Sequence, residues 1–331
     1  MNSRNRFLET MRFGAPDRVP YFDEGLREGV LSLWKRQGLP RRADLSKLFQ
    51  FDRREQIELD LDPHPTPKKW PSSRPELDRF RDSMDSTRPN RLPGRWSDKV
   101  RAWKNRDHIL ILEVHNGFFL SMGVGGWERF YEVIFLLKDD PRFVRELMEI
   151  RGRLSAALTD RVLKDIDIDA ALFVEPIGGN DRPLLSPEMY EEFALSSYEP
   201  VLEVLRNHRV ENIIFFTFGN PRVLLPRVIN RGFNCLWACE TNPQTMDYRD
   251  LRKEFGRDLR LIGGIDLDAL RRGQEHIRRE IEEKVPPLLA EGGYIPLADG
   301  RVREDIPYQN YVYYRRLLEA VTGSSVSSGA E

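Results

Sequence analysis

Polar side chains that follow short apolar runs are the residues best placed to do chemistry in this chain. The clearest example is the run Ala170–Val174, which ends at Glu175 and is followed by a loop containing Gly178-Gly179. Such a run is typical of a strand buried on both faces, which delivers the carboxylate to its carboxyl end. The other side chains with this placement are Asp23, Glu24, His115, Glu240, Asp266 and Asp299. Because ligands of parallel α/β proteins bind at this end of the strands, we expect all these side chains to meet at one mouth.

An acidic mouth of this kind predicts general acid or base chemistry. Neighbouring carboxylates disfavour full ionisation, so one of them is expected to have a raised pKa and to donate or accept a proton. Such a mouth suits a cationic or amine-bearing ligand, or an array of pyrrole N–H groups held by one carboxylate. Glu175 and Asp266 are the predicted catalytic residues. The alternative for both is a carboxylate that caps the amino terminus of the next helix.

Four further residues are candidates for substrate binding, and each has a structural alternative. His115 follows a buried run, and its alternative is a hydrogen bond to a loop carbonyl. Arg182 is placed to hold a substrate carboxylate or to pair with a nearby acid such as Asp181. Phe216 and Phe218 line a ligand pocket or fill the core. Oxygen and nitrogen ligands of this type also occur in metal sites, but their spacing does not show that they converge, so no metal is predicted.

Strands and helices alternate from Ile109 onwards with short connections, which favours a parallel sheet. The predicted strands are Arg18–Phe22, Ile109–His115, Ala170–Val174, Asn212–Thr217, Phe233–Cys239, Leu259–Ile265 and Tyr294–Leu297, with Glu55–Leu61 as a weaker eighth. Eight strands would close a (β/α)8 TIM barrel, and the 331 residues are enough for one. A doubly wound sheet is disfavoured because no Gly-x-Gly-x-x-Gly turn follows a strand. We therefore expect one distorted α/β barrel domain over residues 1–331, with an N-terminal extension.

Two segments do not fit the barrel pattern. Proline and charged residues dominate Pro63–Pro93, which predicts an irregular arm or lid held down by Trp70 and Phe80. The last residues, Gly323–Glu331, are rich in serine and glycine and predict a frayed tail.

The composition excludes several classes of protein. The 52 basic and 53 acidic residues leave a net charge of −1, which offers no electrostatic basis for binding nucleic acid or an anionic membrane. No apolar run approaches the ~20 residues of a membrane helix, and the first residues lack the apolar core of a signal peptide. The two cysteines, Cys235 and Cys239, are predicted to be buried core residues. We expect a soluble, cytoplasmic protein.

Several segments resemble blocks of the uroporphyrinogen decarboxylase superfamily, in the same order along the chain. They are SRNRFLETMRFGAPDRVPYFDEG, PLLSPEMYEEF, FGNPRVLLPRVINRGFNCL, LIGGIDLDALRRG and GGYIPLADGRVREDIPYQNYVYY. The resemblance implies a distorted (β/α)8 barrel, which agrees with the strand count. It also implies one of two activities, namely decarboxylation of porphyrin precursors or methyl transfer that involves corrinoid proteins. By analogy with its relatives, the chain is expected to form a homodimer.

The chain departs from the superfamily at two of its functional blocks. Where the decarboxylases resemble one another in an Arg-Gln-Ala-Gly-Arg block that holds substrate carboxylates, this chain has the acidic Phe22–Arg27 with Arg27 alone. Where the thiol methyltransferases have a His-x-Cys and a later Cys that bind zinc, this chain has Phe216, Thr217, Phe218 and Gly300. Phenylalanine and glycine offer no ligand, so we expect no family zinc site and no cofactor in the chain itself.

The resemblance and the residues together lead to three functional hypotheses. The first is a decarboxylase-like enzyme (a lyase) acting on a small carboxylated, porphyrinogen-type substrate. Glu175 would stabilise the positive charge that forms when a carbon next to a pyrrole-like ring of the substrate is protonated. Arg27 or Arg182 would hold the acid group of the substrate. The second is a corrinoid-dependent methyltransferase or demethylase component, in which Glu175 and Asp266 protonate the leaving oxygen or nitrogen. The third is a barrel that binds a ligand or a partner without turnover.

Overall fold

The computed structural model describes residues 1–324 and shows an α/β protein whose strands are parallel. The strands are β1 Arg54–Glu58, β2 Ile109–His115, β3 Ala170–Glu175, β4 Ile213–Phe218, β5 Cys235–Cys239, β6 Arg260–Ile265 and β7 Tyr294–Ala298. The helices are α1 Ser3–Met11, α2 Val30–Arg36, α3 Leu45–Leu48, α4 Arg74–Ser83, α5 Trp96–Trp103, α6 Gly117–Ser121, α7 Trp127–Asp139, α8 Pro141–Asp165, α9 Pro187–Tyr190, α10 Ser196–Asn207, α11 Leu225–Asn230, α12 Tyr248–Phe255, α13 Leu267–Arg272, α14 Gln274–Glu291 and α15 Tyr308–Ser324. No helix in this part of the chain is both long and apolar enough to cross a membrane.

The chain divides into two compact units. The central unit is Glu55–Asn234, and the terminal unit combines Met1–Arg54 with the residues from Cys235 onwards. The central unit holds β2, β3 and β4, which pair in chain order with Ile111 opposite Ala170 and Ala171 opposite Ile213. Almost every residue of β2 and β3 is buried, as expected for parallel strands covered on both faces.

The terminal unit holds a second set of three parallel strands. β5 pairs with β6 and β6 pairs with β7, again in chain order. Every residue of β5 and β7 is buried, including the free cysteines Cys235 and Cys239, which confirms them as core residues. Burial raises the pKa of both thiols, that of Cys235 to about 12.

The prediction of a strand at Arg18–Phe22 is wrong. The N–H of Tyr21 is bonded to the side chain of Asp52, at 2.8 Å, and the carbonyl of Tyr21 accepts from the N–H of Asp52. Because a side chain occupies the donor that a neighbouring strand would need, no ladder forms there. A single parallel bridge between Leu26 and Val302 appears a few residues later. The described residues therefore contain seven strands, one fewer than a complete (β/α)8 barrel.

The segment Pro63–Pro93 is more regular than predicted, because it contains helix α4. Glu76 begins this helix by accepting hydrogen bonds from the N–H groups of Ser72 and Ser73, at 2.8 and 3.1 Å. Such a capping arrangement stabilises a first helical turn. The same residues could have been recognised in the sequence as a Ser-x-x-Glu motif.

Trp70 and Phe80 do hold this segment down, as expected. Their ring centroids lie 5.2 Å apart, and Phe80 is buried. A Cβ atom at Gly123 would come within 2.1 Å of the Trp70 ring, so only glycine allows this close packing. The fully buried Arg91 adds hydrogen bonds to the carbonyls of Asp60, Ser83 and Asp85. The segment is therefore anchored within the central unit, and its action as a lid stays a prediction.

The last helix, α15, includes Gly323 and Ser324, where the tail was predicted to begin. The rest of the predicted tail, residues 325–331, lies outside the described residues.

Candidate functional site

The predicted site residues fall into two groups, one in each unit. The central unit contains His115, Glu175, Arg182, Phe216 and Phe218, and the terminal unit contains Asp23, Glu24, Arg27, Glu240, Asp266 and Asp299. The meeting of the two groups at one mouth stays a prediction. Each group has its own geometry, which we describe in turn.

Glu175 ends β3 as predicted, and its side chain is fully buried. One carboxylate oxygen, Oε1, accepts a hydrogen bond from the N–H of Phe118 at 2.9 Å. The other, Oε2, accepts from the hydroxyls of Tyr190, at 3.0 Å, and Tyr198. Burial raises the pKa of Glu175 to about 7, although all three hydrogen bonds act in the opposite direction. Near neutral pH this carboxyl group therefore exchanges between its protonated and ionised forms.

Gly117 allows the close approach between α6 and Glu175. It has a φ of +71°, and a Cβ atom there would lie 2.6 Å from both Oε1 of Glu175 and the carbonyl of Val174. Any other residue would push α6 away from the carboxylate. The contacts of Glu175 are thus those of a residue that caps and positions α6, which follows β2, whereas the alternative considered from the sequence is a cap of the next helix along the chain. Its catalytic role stays a prediction.

His115 ends β2 and is also buried, with 1% of its surface exposed. Its Nδ1 accepts a hydrogen bond from the N–H of Gly117 at 3.0 Å, which places the ring proton on Nε2. Nε2 has no hydrogen-bond partner within residues 1–324. Burial, and to a lesser degree the charge of Arg151, lowers the pKa of His115 to about 3. The imidazole is therefore neutral and packs against the ring of Tyr198, with ring centroids 4.4 Å apart and the rings tilted by 53°.

The other candidates of the central unit lie nearer the surface. Phe216 and Phe218 project from β4 with ring centroids 5.4 Å apart, and Phe218 is 37% exposed. A side chain in the core would be buried, so the exposure of Phe218 favours a position that lines a ligand pocket. Arg182 is exposed in the loop after β3, and its carbonyl accepts from the N–H of Gly179.

The terminal unit places Glu24 beside an arginine that the sequence analysis missed. Arg54, the first residue of β1, has its Nη2 3.8 Å from Oε1 of Glu24 and donates from Nη2 to the carbonyl of Asp23 at 2.9 Å. Its guanidinium lies 4.7 Å from the ring centroid of Trp237 and 5.0 Å from that of Phe22. Contacts of this kind hold a guanidinium in a fixed plane. No sequence signal singles out Arg54, since it stands at the start of a strand rather than at its end.

Glu24 differs from the other acids in its hydrogen bonding. Its side chain is 15% exposed, and Oε1 is buried with no hydrogen-bond partner among residues 1–324. Burial raises the pKa of Glu24, and the nearby charge of Asp23 raises it further, while Arg54 and Trp237 act in the opposite direction. Asp23 is fixed in place, since Oδ2 accepts from the hydroxyl of Tyr311 at 2.7 Å. The carboxylate of Asp23 is therefore fixed by a hydrogen bond, whereas the neighbouring carboxyl group of Glu24 has one oxygen, Oε1, without a hydrogen bond.

Asp299 follows β7 and forms hydrogen bonds with residues that follow two other strands, β5 and β6. Its Oδ2 accepts from the N–H and the hydroxyl of Thr241, at 2.9 and 2.5 Å, and its Oδ1 accepts from the N–H of Leu267 at 3.1 Å. Burial raises the pKa of Asp299 to about 6 despite these bonds. The contacts of Asp299 are therefore of the same kind as those of Glu175, and its role in substrate binding stays a prediction.

Three further candidates of the terminal unit are occupied by protein contacts. Asp266 caps α13 by accepting from the N–H of Asp268 at 2.8 Å, which is the structural alternative named for it. Arg27 and Glu240 form an ion pair of 2.8 Å, and each side chain is about half exposed. Exposed pairs of this type contribute little to stability. In the absence of substrate, the positive charge of Arg27 is therefore already paired with the negative charge of Glu240.

The zinc site of the superfamily's thiol methyltransferases does not fit this chain. Phe216, Phe218 and Gly300 supply no ligand at the matching positions. Within residues 1–324, no three histidine, cysteine or acidic side chains are grouped so that they could hold a metal ion.

Comparison with known proteins agrees with this fold. The family model described as uroporphyrinogen decarboxylase (URO-D) matches residues 120–296, more than half of the chain. The chain belongs to the uroporphyrinogen decarboxylase family. A solved methyltransferase from Methanosarcina mazei is similar in structure, with a TM-score of 0.62 and 14% sequence identity over 99% of this chain and 100% of that one. At this identity the likeness shows a shared fold. A search of curated proteins finds no match.

Proposed function

We propose that this member of the uroporphyrinogen decarboxylase family is an acid–base enzyme that decarboxylates a small organic acid. The observation that carries the proposal is the arrangement of Glu24 and Arg54 in the terminal unit. One residue offers an unsatisfied carboxyl oxygen with a raised pKa, and the other offers a fixed guanidinium 3.8 Å away.

Arg54 is suited to hold the substrate carboxylate. A guanidinium binds a carboxylate through two parallel hydrogen bonds, and the contacts with Trp237 and Phe22 fix its plane in advance. The side chain is 28% exposed, so an anionic group can reach it. Asp23 is paired with Arg315, whose Nη1 lies 3.9 Å from Oδ2 of Asp23, so with Glu24 protonated the positive charge of Arg54 is left for a substrate carboxylate.

Glu24 is suited to supply the proton. A raised pKa increases the fraction of the neutral acid near pH 7, which is the form that donates. In the reaction the bond between the substrate carbon and its carboxylate breaks, and carbon dioxide leaves. The electron pair stays on the substrate, and the proton of Glu24 replaces the lost group. Water then returns a proton to Glu24, so one proton is consumed per turnover.

Glu175 and Asp266 have a different part in this proposal. Both are bonded to the backbone at the start of a helix, Glu175 to Phe118 and Asp266 to Asp268. They position loops and helices, and substitution at either acts through the folded structure.

A corrinoid-dependent methyl transfer is the second candidate, supported by the fold shared with the methyltransferase from Methanosarcina mazei. A separate corrinoid protein would then be the partner. Glu24 would protonate the oxygen or nitrogen that loses the methyl group, so the same residue serves both reactions.

The two candidates are separated by assaying the purified protein with two panels of substrates. The first contains carboxymethyl pyrroles and arylacetic acids, with carbon dioxide release as the measurement. The second contains O- and N-methylated donors with an added corrinoid protein. Carbon dioxide release that is lost in Glu24→Gln supports the proposal. Release that persists in that variant contradicts it, and demethylation without decarboxylation replaces it by the second candidate.

A further inference from the structure

The segment Pro63–Pro93 of the central unit contains a cavity of about 330 Å³. Its lining combines apolar rings with basic side chains, among them Pro67, Pro71, Phe80, Lys68, Lys69 and Arg79. We call it the arm cavity. Sites for small molecules typically have volumes of about 300–1,000 Å³, an apolar wall and a few polar groups that orient the ligand. The arm cavity has all three properties.

The inner wall of the arm cavity is apolar and firmly held. Pro71 and Phe80 are buried, and the ring of Phe80 packs against that of Trp70, with centroids 5.2 Å apart. Arg129 of α7 donates a hydrogen bond from Nη2 to the carbonyl of Pro71 at 2.9 Å. Because the protein's own contacts fix this wall, a ligand does not have to order it on binding. The wall is therefore suited to the apolar part of a ligand.

The three basic side chains of the arm cavity are exposed. Neither Lys68 nor Arg79 lies within ion-pair distance of an acidic side chain in the described part of the chain. Lys69 lies 4.0 Å from Glu132, whose carboxylate is paired with Arg129 at 2.9 Å. The positive charges of the cavity are therefore largely available to an anion that enters it.

One acid, Glu76, also lines the cavity and must be subtracted. Its Oε2 accepts from the N–H groups of Ser72 and Ser73, at 2.8 and 3.1 Å, where α4 begins. The hydrogen bond from Ser72 lowers the pKa of Glu76, so the side chain is negatively charged at neutral pH. Three positive charges and one negative charge leave an excess of two positive charges at the arm cavity.

This excess matches a dianion better than a carboxylate. A phosphate monoester carries a charge of about −1.5 to −2 at pH 7, whereas a carboxylate carries one negative charge. We propose that the arm cavity binds a soluble phosphate monoester that carries an apolar group. The phosphate lies among the basic side chains, and the apolar group packs against Pro71 and Phe80. The inference is independent of the proposed reaction.

A lipid headgroup would present the same chemistry, but the surface of this segment does not favour a membrane. Proteins that lie on a membrane insert exposed apolar side chains next to their basic ones. None of the large apolar side chains exposed in the described part of the chain belongs to Pro63–Pro93. The soluble ester is therefore the better match.

Isothermal titration calorimetry of the full chain with phenyl phosphate tests the proposal. The wild type is expected to bind one molecule per chain. Lys68→Gln with Arg79→Gln should raise the dissociation constant by about 10-fold or more, because two charged donors are lost. Thermal unfolding should be unchanged, since both side chains are exposed. A wild type that does not bind, or a double variant that binds equally well, overturns the proposal.

Arg81→Gln is the matched control for this double variant. Arg81 is exposed on the same helix but does not line the cavity, and it is paired with Asp78 at 3.1 Å. The control should bind phenyl phosphate as the wild type does. An equal loss of affinity in Arg81→Gln would show that only the general charge of α4 matters, which contradicts a defined site.

Three further probes test the chemistry of the ligand. Benzoate lacks the second negative charge and inorganic phosphate lacks the ring, so each should bind about 10-fold more weakly than phenyl phosphate. Equal affinity for either would contradict the match of charge or of apolar wall. Vesicles that contain phosphatidic acid should not sediment the protein. Co-sedimentation that is lost in the double variant would replace the soluble ester by a lipid headgroup.

A last variant separates the arm cavity from the candidate site of the terminal unit. Arg54→Lys alters the guanidinium that we propose for the substrate carboxylate, and it should leave the dissociation constant of phenyl phosphate unchanged. A constant that rises in Arg54→Lys but not in the double variant would place the anion at Arg54 and overturn the inference.

Discussion

Glu175 in the central unit and Glu24 in the terminal unit are both carboxyl groups whose pKa is raised by burial, yet they differ in how they are bonded. Glu175 is fully buried, and its two oxygens accept three hydrogen bonds from Phe118, Tyr190 and Tyr198. Glu24 keeps one buried oxygen, Oε1, without a hydrogen-bond partner among residues 1–324, and this oxygen lies 3.8 Å from Nη2 of Arg54.

The difference shows why a raised pKa does not by itself identify a catalytic acid. Buried polar groups are nearly always hydrogen-bonded, so a satisfied carboxyl group is a structural element. An unsatisfied oxygen costs free energy in the folded protein and is explained when a ligand supplies the missing partner. On this comparison Glu175 stabilises the fold, and Glu24 is available for chemistry.

The largest expected effect is on turnover. Glu24→Gln keeps the size of the side chain but removes its proton, and it should lower kcat by about 10²–10⁴-fold with little change in thermal stability. Single-turnover rates and melting temperature are measured on the same preparation. Glu28→Gln, at an exposed site on the same unit, is the matched control and should retain full activity. If Glu24→Gln remains active, Glu24 is not the catalytic acid, and the proposed difference in role between Glu24 and Glu175 is wrong.

The next effect is on stability and concerns Glu175. Glu175→Ala leaves the hydroxyls of Tyr190 and Tyr198 and the N–H of Phe118 without their acceptor, so the free energy of unfolding should fall by about 3 kcal/mol or more. Urea unfolding of the variant and the wild type measures this difference. Glu175→Gln retains an acceptor and should lose less. If Glu175→Gln instead abolishes turnover while remaining stable, Glu175 is catalytic as first predicted.

A smaller effect is expected on substrate binding. Arg54→Lys keeps the charge but removes the planar pair of donors, so KM should rise by roughly 10- to 100-fold. The exposed neighbour Arg53 provides the control, because Arg53→Lys should leave KM unchanged. Steady-state kinetics over a range of substrate concentrations separates KM from kcat. Equal KM values in both variants would show that Arg54 does not hold the substrate.

The smallest effect is a pH dependence of stability. The folded protein raises the pKa of Glu175 from 4.5 to about 7, so it binds this proton more tightly than the unfolded chain does. The contribution to stability is present below pH 4.5 and is lost as the pH rises towards 7. Between pH 4.5 and 7, the free energy of unfolding of Glu175→Gln should therefore rise by about 1–3 kcal/mol relative to that of the wild type. Urea unfolding of both proteins at several pH values measures this change. A difference that stays constant with pH would show that Glu175 ionises normally.

The sequence predicted the strands of the core well, because burial on both faces leaves a short continuous apolar run in the sequence. Ile109–His115 and the run ending at Glu175 both formed as expected. It failed at Arg18–Phe22, where Asp52 binds the backbone that a strand would have used. It also missed the helix Arg74–Ser83, although Ser73 and Glu76 mark its start.

The sequence by itself determined the parallel α/β fold, the family, and the placement of Glu175, Glu240, Asp266 and Asp299 at the ends of strands, whereas Asp23 and Glu24 follow no strand. Only the tertiary structure decided which of these acids are satisfied. Hydrogen-bond partners such as Tyr198 for Glu175 and Tyr311 for Asp23 come from distant parts of the chain, and no local pattern records them. Arg54 stayed unrecognised for the same reason. An arginine at the start of a strand has no distinguishing signal until folding places it beside Glu24 and Trp237.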